Sequence, residues 1–103
     1  MDVELLVVTE CPHETSAYDL TVAALAELDA SASVSVTVIE SDEQARARGF
    51  TGSPTFLING RDPFAEAGAA IAVACRVYRT PAGLAGVPAP EQLREALREA
   101  TLA

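Results

Sequence analysis

Apolar residues recur along this chain at spacings that switch between those of strands and those of helices. Residues 3–8 form a nearly continuous apolar run (Val3, Leu5, Leu6, Val7 and Val8, broken only by Glu4), the pattern of a strand covered on both faces. A helical pattern follows from Cys11 to about Asp29, with Tyr18, Val22, Leu25 and Leu28 at three- and four-residue spacing as its apolar stripe. In this reading Cys11 is the N-cap. Pro12 takes the first helical position, where its missing N–H costs nothing, and Glu14 takes the third, the place of the carboxylate in a capping box. Residues 33–39 alternate Val34, Val36 and Val38 with Ser35 and Thr37, which predicts a half-buried strand. Ser41 caps a short helix with acids in its first turn and Arg46 and Arg48 in its last, ending at Gly49.

Pro54 opens a third strand over residues 55–58, and Asn59-Gly60 ends it with a turn signal. Residues 61–72 begin with the turn Asp62-Pro63 and continue as an alanine-rich loop or short helix. Residues 73–78 read as a fourth strand and residues 81–88 as a Gly/Pro-rich loop. An amphipathic helix closes the chain over residues 90–102, with Leu93, Ala96, Leu97 and Ala100 inward and Glu91/Arg94 and Glu95/Arg98 as outer ion pairs. The order is β-α-β-α-β-β-α. The first two strands are expected parallel across a right-handed crossover, and the last two antiparallel.

With 103 residues and half of them hydrophobic, the chain is expected to form one domain, residues 1–103, large enough to bury a core without disulfides. Its net charge is −8, and all seven basic residues are arginine. No basic patch is available to a nucleic-acid backbone. No apolar run approaches membrane-spanning length and no signal peptide is evident, so the expected setting is cytoplasmic and reducing. The two cysteines are far apart and make no disulfide framework. Neither C-x-x-C pairs nor H-E-x-x-H spacing is present, so no metal site or cofactor is expected.

The candidate chemistry centres on Cys11, at a strand-to-helix junction where a helix end favours a thiolate. A protonated His13 adds to that, while Glu10 and Glu14 oppose it. These effects are of similar size, roughly 0.3–1 kcal/mol each at exposed sites, so the acids offset much of the activation. His13 reads as a solvent-exposed tuner of the sulfur rather than a base or metal ligand. Glu14 either caps the helix or carries a proton to a leaving thiol.

The element order, Cys11-Pro12-His13-Glu14 and Ser53-Pro54-Thr55 together resemble the thioredoxin-like superfamily over nearly the whole chain. Cys11-Pro12-His13-Glu14 is similar to the C-P-H-C motif of its disulfide oxidases, with Glu14 in place of the last cysteine. The resemblance implies a four-stranded mixed sheet flanked by three helices, with a cis Pro54 facing Cys11. A cis bond would leave the Ser53 N–H and C=O open, so that Pro12, Ser53, Pro54 and Thr55 bind an extended peptide or thiol compound. Residues 52–75 are also similar to small thioredoxin-like proteins associated with organomercurial lyases.

If the last two strands pair antiparallel, Tyr78 lies beside Pro54 and Cys75 falls three residues back, roughly 10 Å along the strand at about 3.3 Å per residue. That exceeds the Cα separation of about 7 Å that a disulfide with Cys11 tolerates. Cys75 then reads as a buried core thiol. Arg76 and Tyr78 alternate onto the opposite face, where Arg76 is placed to pair with an acid. The leading expectation is thiol–disulfide exchange through Cys11 alone, with a low-molecular-weight or protein thiol as partner and resolving agent. The alternatives are a non-catalytic module for peptides or small thiols, and soft-metal or organomercurial handling through thiolates.

Overall fold

The computed structural model describes residues 1–102; Ala103, the end of the expected domain, lies outside the described residues. The chain runs β1 (Asp2–Val8), α1 (Glu14–Glu27), β2 (Ser33–Ile39), α2 (Asp42–Arg48), β3 (Thr55–Ile58), β4 (Tyr78–Thr80), β5 (Gly83–Ala85) and α3 (Pro90–Leu102). β1 lies at the centre of a three-stranded mixed sheet ordered β2-β1-β3. It pairs parallel with β2, from Asp2↔Ser33 to Val8↔Ile39, and antiparallel with β3, from Val3↔Ile58 to Leu6↔Thr55. The central strand is therefore the one with the continuous apolar run.

Its alternating residues feed two cores. Val3 and Leu5 pack with Ala17, Ala24, Leu25, Phe56, Ile58, Leu93 and Leu97 beneath α1 and α3. Leu6 packs on the other face with Ile39, Ala45, Phe50 and Leu57, under α2. Local signals place the short elements as expected. Ser41 accepts the Gln44 N–H at 3.1 Å, and Gly49 ends α2 at φ 63°. Asn59 and Gly60, both at positive φ, close a tight turn in which Ile58 and Arg61 exchange backbone bonds of 2.8 and 3.1 Å. Ala89 precedes α3, and the Gln92 side chain reaches back to its N–H at 2.8 Å.

Four expectations are corrected. The buried face of α1 is Ala17, Thr21, Ala24 and Leu25, while Tyr18 and Val22 are exposed. Small residues face the sheet because they let the helix approach it, and the larger ones stand at the flank. Val36 and Val38 are also exposed, because β2 is the sheet edge and its outer side is uncovered. Arg94 pairs with Glu27 of α1 rather than Glu91, tying two helices together; the Glu95–Arg98 pair forms as expected, at 2.6 Å.

The fourth correction concerns the sheet. Residues 73–77 do not extend it; β4 begins only at Tyr78 and pairs antiparallel with β5 in a separate two-stranded hairpin. Residues 61–72 form turns without a helix. The physical reason lies in Arg76, whose side chain is only 9% exposed. It meets Asp62 at 2.7 Å, donates to the Phe64 carbonyl at 2.6 Å and stacks 4.7 Å from the Tyr78 ring centre. These contacts hold the segment away from ladder pairing with β3. Side chains cover that flank instead: Phe56, Phe64 and Tyr78 meet edge to face, with centroids 5.6–6.2 Å apart.

On the α2 face, the Glu4 carboxylate takes Arg48 as its ion-pair partner and accepts from the Thr37 hydroxyl at 2.6 Å. Arg48 first, and Thr37 second, hold its pKa below the ordinary 4.5. A carboxylate depressed in the folded state contributes stability above its unfolded pKa and loses it as pH falls through the folded one. The melting temperature of the wild type should therefore fall more steeply below about pH 4.5 than that of Glu4→Gln. Parallel pH curves for the two proteins would show that the pair is screened to no effect.

Candidate functional site

The end of β1 and the start of β3 converge on Cys11. After Val8 the chain reverses through Thr9 and Glu10, and Glu10 adopts φ 57°. The turn closes when the Cys11 N–H returns to the Val8 carbonyl at 3.2 Å. Helix α1 then begins at Glu14, not at Pro12. His13 is the N-cap residue, without a side-chain cap bond, and Glu14 is the first helical residue rather than the third. Cys11 precedes the helix, and its carbonyl accepts the Glu14 N–H at 3.3 Å. The run of turn residues before the helix competes with the capping pattern that Cys11-Pro12-His13-Glu14 suggests.

What meets the sulfur is a hydroxyl from another strand. Ser53 Oγ lies 3.0 Å from Cys11 Sγ and accepts the Val8 N–H, also at 3.0 Å. The amide can only donate, so the hydroxyl proton is free to point at the sulfur. Cys11 is 8% exposed and Ser53 is fully buried. The donor therefore acts where water competes little, and a hydrogen bond to a charged acceptor is stronger than one to a neutral group.

The Ser53–Pro54 peptide bond is cis. Pro54 and Thr55 are buried with Ser53. The Pro54 carbonyl accepts the Tyr78 hydroxyl, and burial raises the pKa of that phenol. Thr55 donates to the Gly52 carbonyl at 2.6 Å. Gly52, at φ 141°, has no room for a side chain: a Cβ there would stand 2.7 Å from the Arg76 Cβ.

The expected open backbone at Ser53 is not found. Its N–H donates to the Ala74 carbonyl at 2.8 Å, and its carbonyl accepts the Arg76 N–H at 2.9 Å. Residues 74–76 thus run beside Ser53 as an internal parallel bridge centred on Cys75. The antiparallel register that put Cys75 about 10 Å away is overturned. So is its assignment to the core, because Cys75 is exposed and both thiols are free.

Pro12 is exposed, and His13 and Glu14 are half-buried. His13 is not a freely solvated side chain: its ring lies against Gly86, just after β5, where a methyl group would overlap the imidazole. The structure thus brings together Cys11, Ser53 and, through the backbone, Cys75. Val8, Gly86 and Ala74 were not legible as site residues, since they contribute an amide, an empty space and a carbonyl that no motif marks. Arg61 and the Asn59-Gly60 turn lie at the other end of the sheet, where Ile58 pairs with Val3. A hollow of about 700 Å³ beside Met1, Leu28, Asn59 and Arg98 is also at that end, away from the thiol.

No protein-family model, curated protein or solved structure matches this chain.

Removing the Ser53 hydroxyl leaves the part-buried Val8 N–H without its acceptor. Ser53→Ala should lower unfolding stability by about 1–3 kcal/mol in urea denaturation. An unchanged midpoint and slope would mean that the amide finds another partner.

Proposed function

We propose that this chain is a thioredoxin-like protein that carries out thiol–disulfide exchange through Cys11. The observation that carries this reading is the Ser53 hydroxyl held 3.0 Å from the Cys11 sulfur by the Val8 amide. A donor fixed on a sulfur is placed to stabilise the negative charge that collects there when the sulfur leaves a mixed disulfide. Further support comes from the parallel β1–β2 pair and the antiparallel β3.

The exchange balances without a cofactor. The Cys11 thiolate attacks one sulfur of a disulfide, forming a mixed disulfide and releasing the other half as a thiolate. An external thiol then attacks the mixed disulfide, gives up its proton and restores Cys11. In net, one disulfide and one external thiol become a new disulfide and the released thiol. A low-molecular-weight disulfide suits the site better than an extended peptide, because Ala74 and Arg76 already occupy the Ser53 backbone groups and Cys11 is 8% exposed. The same occupancy counts against a module that captures peptides by strand addition. With a small thiol as partner, the reading fits a reducing, cytoplasmic setting.

With a mixed disulfide of glutathione as substrate and reduced glutathione as resolving thiol, the wild type should turn over and Cys11→Ser should not. Ser53→Ala should slow the step by roughly tenfold or more, the equivalent of one charge-assisted hydrogen bond. Equal rates for wild type and Cys11→Ser would end the proposal.

A further inference from the structure

Both cysteines of the chain adjoin Ser53, one through its side chain and the other through its backbone. On one side its hydroxyl touches the Cys11 sulfur at 3.0 Å. On the other its backbone is bridged to Cys75 by the bonds to Ala74 and Arg76, of 2.8 and 2.9 Å. Bridged residues lie about one strand spacing apart, about 4.8 Å. A single serine therefore separates the nucleophile from the second cysteine. Cys75 sits in an isolated bridge with the residue whose hydroxyl meets Cys11, which makes it a thiol tethered beside that serine.

The segment carrying Cys75 is lightly tied to the rest of the chain. Residues 65–71 are all exposed and lie in neither helix nor strand. Residues 72–76 are tied to the 50–53 loop by three backbone bonds, from Ala72 to Phe50 and from Ala74 and Arg76 to Ser53. Segments with few bonds and little buried surface open at low free energy without global unfolding. Arg76 marks the far end of the moving part, because its buried contacts with Asp62 and Phe64 anchor the chain there. Cys75 is immediately beside that anchor, so opening the 72–75 stretch swings its thiol about a fixed point. A cavity of about 160 Å³ beside it, lined by Thr51, Glu66, Ala69 and Val77, leaves the thiol room to turn.

We propose that Cys75 is the resolving thiol of this site and closes a reversible disulfide with Cys11. The proposal rests on the exchange reading of Cys11. In the first step Cys11 takes up half of an external disulfide. The Cys75 thiolate then attacks the Cys11 sulfur; the Cys11–Cys75 bond forms, the external half leaves as a thiolate, and the Cys75 proton passes to solvent. Two external thiols return the pair to the reduced state and are themselves oxidised to a disulfide. The Ser53 side chain yields as the sulfurs meet, because a disulfide requires a Cα separation within about 7 Å.

The test uses the full chain, reduced and then exposed to oxidised glutathione, with intact mass and a non-reducing tryptic digest as readouts. The wild type should lose both thiols as a monomer, and the digest should contain peptide 1–46 joined to peptide 62–76. In Cys75→Ser, whose position is exposed, the glutathione adduct on Cys11 should persist at least about tenfold longer, since a tethered thiol acts at high effective concentration. A wild-type adduct as long-lived as that of Cys75→Ser, or a dimer joined through Cys75, would overturn the resolving role while leaving exchange at Cys11 intact. If Cys11 takes up no glutathione in either protein, both readings fall.

Discussion

The site depends on the hydrogen bonds of one buried serine. Ser53 accepts from β1 through Val8, donates to Cys11, and uses its backbone to hold residues 74–76. Each bond constrains the next. The amide orients the hydroxyl, the hydroxyl faces the sulfur, and the backbone pairing brings the second cysteine alongside. In water such bonds would exchange freely with solvent. The bonds of the buried hydroxyl are costly to leave unmade, so they set the geometry as well as the energy.

Arg76 determines what surrounds that serine. Its guanidinium is held by Asp62 and the Phe64 carbonyl, over the Tyr78 ring. The pairing takes residues 73–77 out of the sheet and leaves three aromatic rings on the flank of β3. It also delivers Tyr78 to the Pro54 carbonyl, closing the loop that carries Ser53. One buried charge thus explains both the missing fourth strand and the occupied backbone beside Cys11. Gly52 is the steric counterpart, because its bare backbone is what lets Arg76 come so close.

The single-thiol and paired-thiol readings share this geometry and differ in which thiol resolves the mixed disulfide. An external thiol must diffuse to a sulfur that is nearly buried, whereas Cys75 is already tethered one residue away, at Ser53. Glu14 stands where a nearby second cysteine would sit in a C-x-x-C motif, and the chain brings its other thiol from far along the sequence.

Local patterning determined much of this protein. The apolar run of β1, the cap and terminator of α2, and the Asn59-Gly60 turn were all legible, because each depends on neighbours in sequence. The strand-to-helix placement of Cys11 was legible from the residues, and the Ser53-Pro54 loop as its neighbour from the resemblance of its motif. The partner atoms were not. The hydroxyl on the sulfur, the Gly86 surface under His13 and the parallel bridge at Cys75 all join residues distant in sequence. The valine-rich stretch around Cys75 has the alternation of a strand, and only the burial of Arg76 against Asp62 and Phe64 withdrew it from the sheet. Periodicity reports which side of an element is apolar. Which edge that element meets, and in what register, is settled by long-range pairing of buried polar groups that the pattern does not encode.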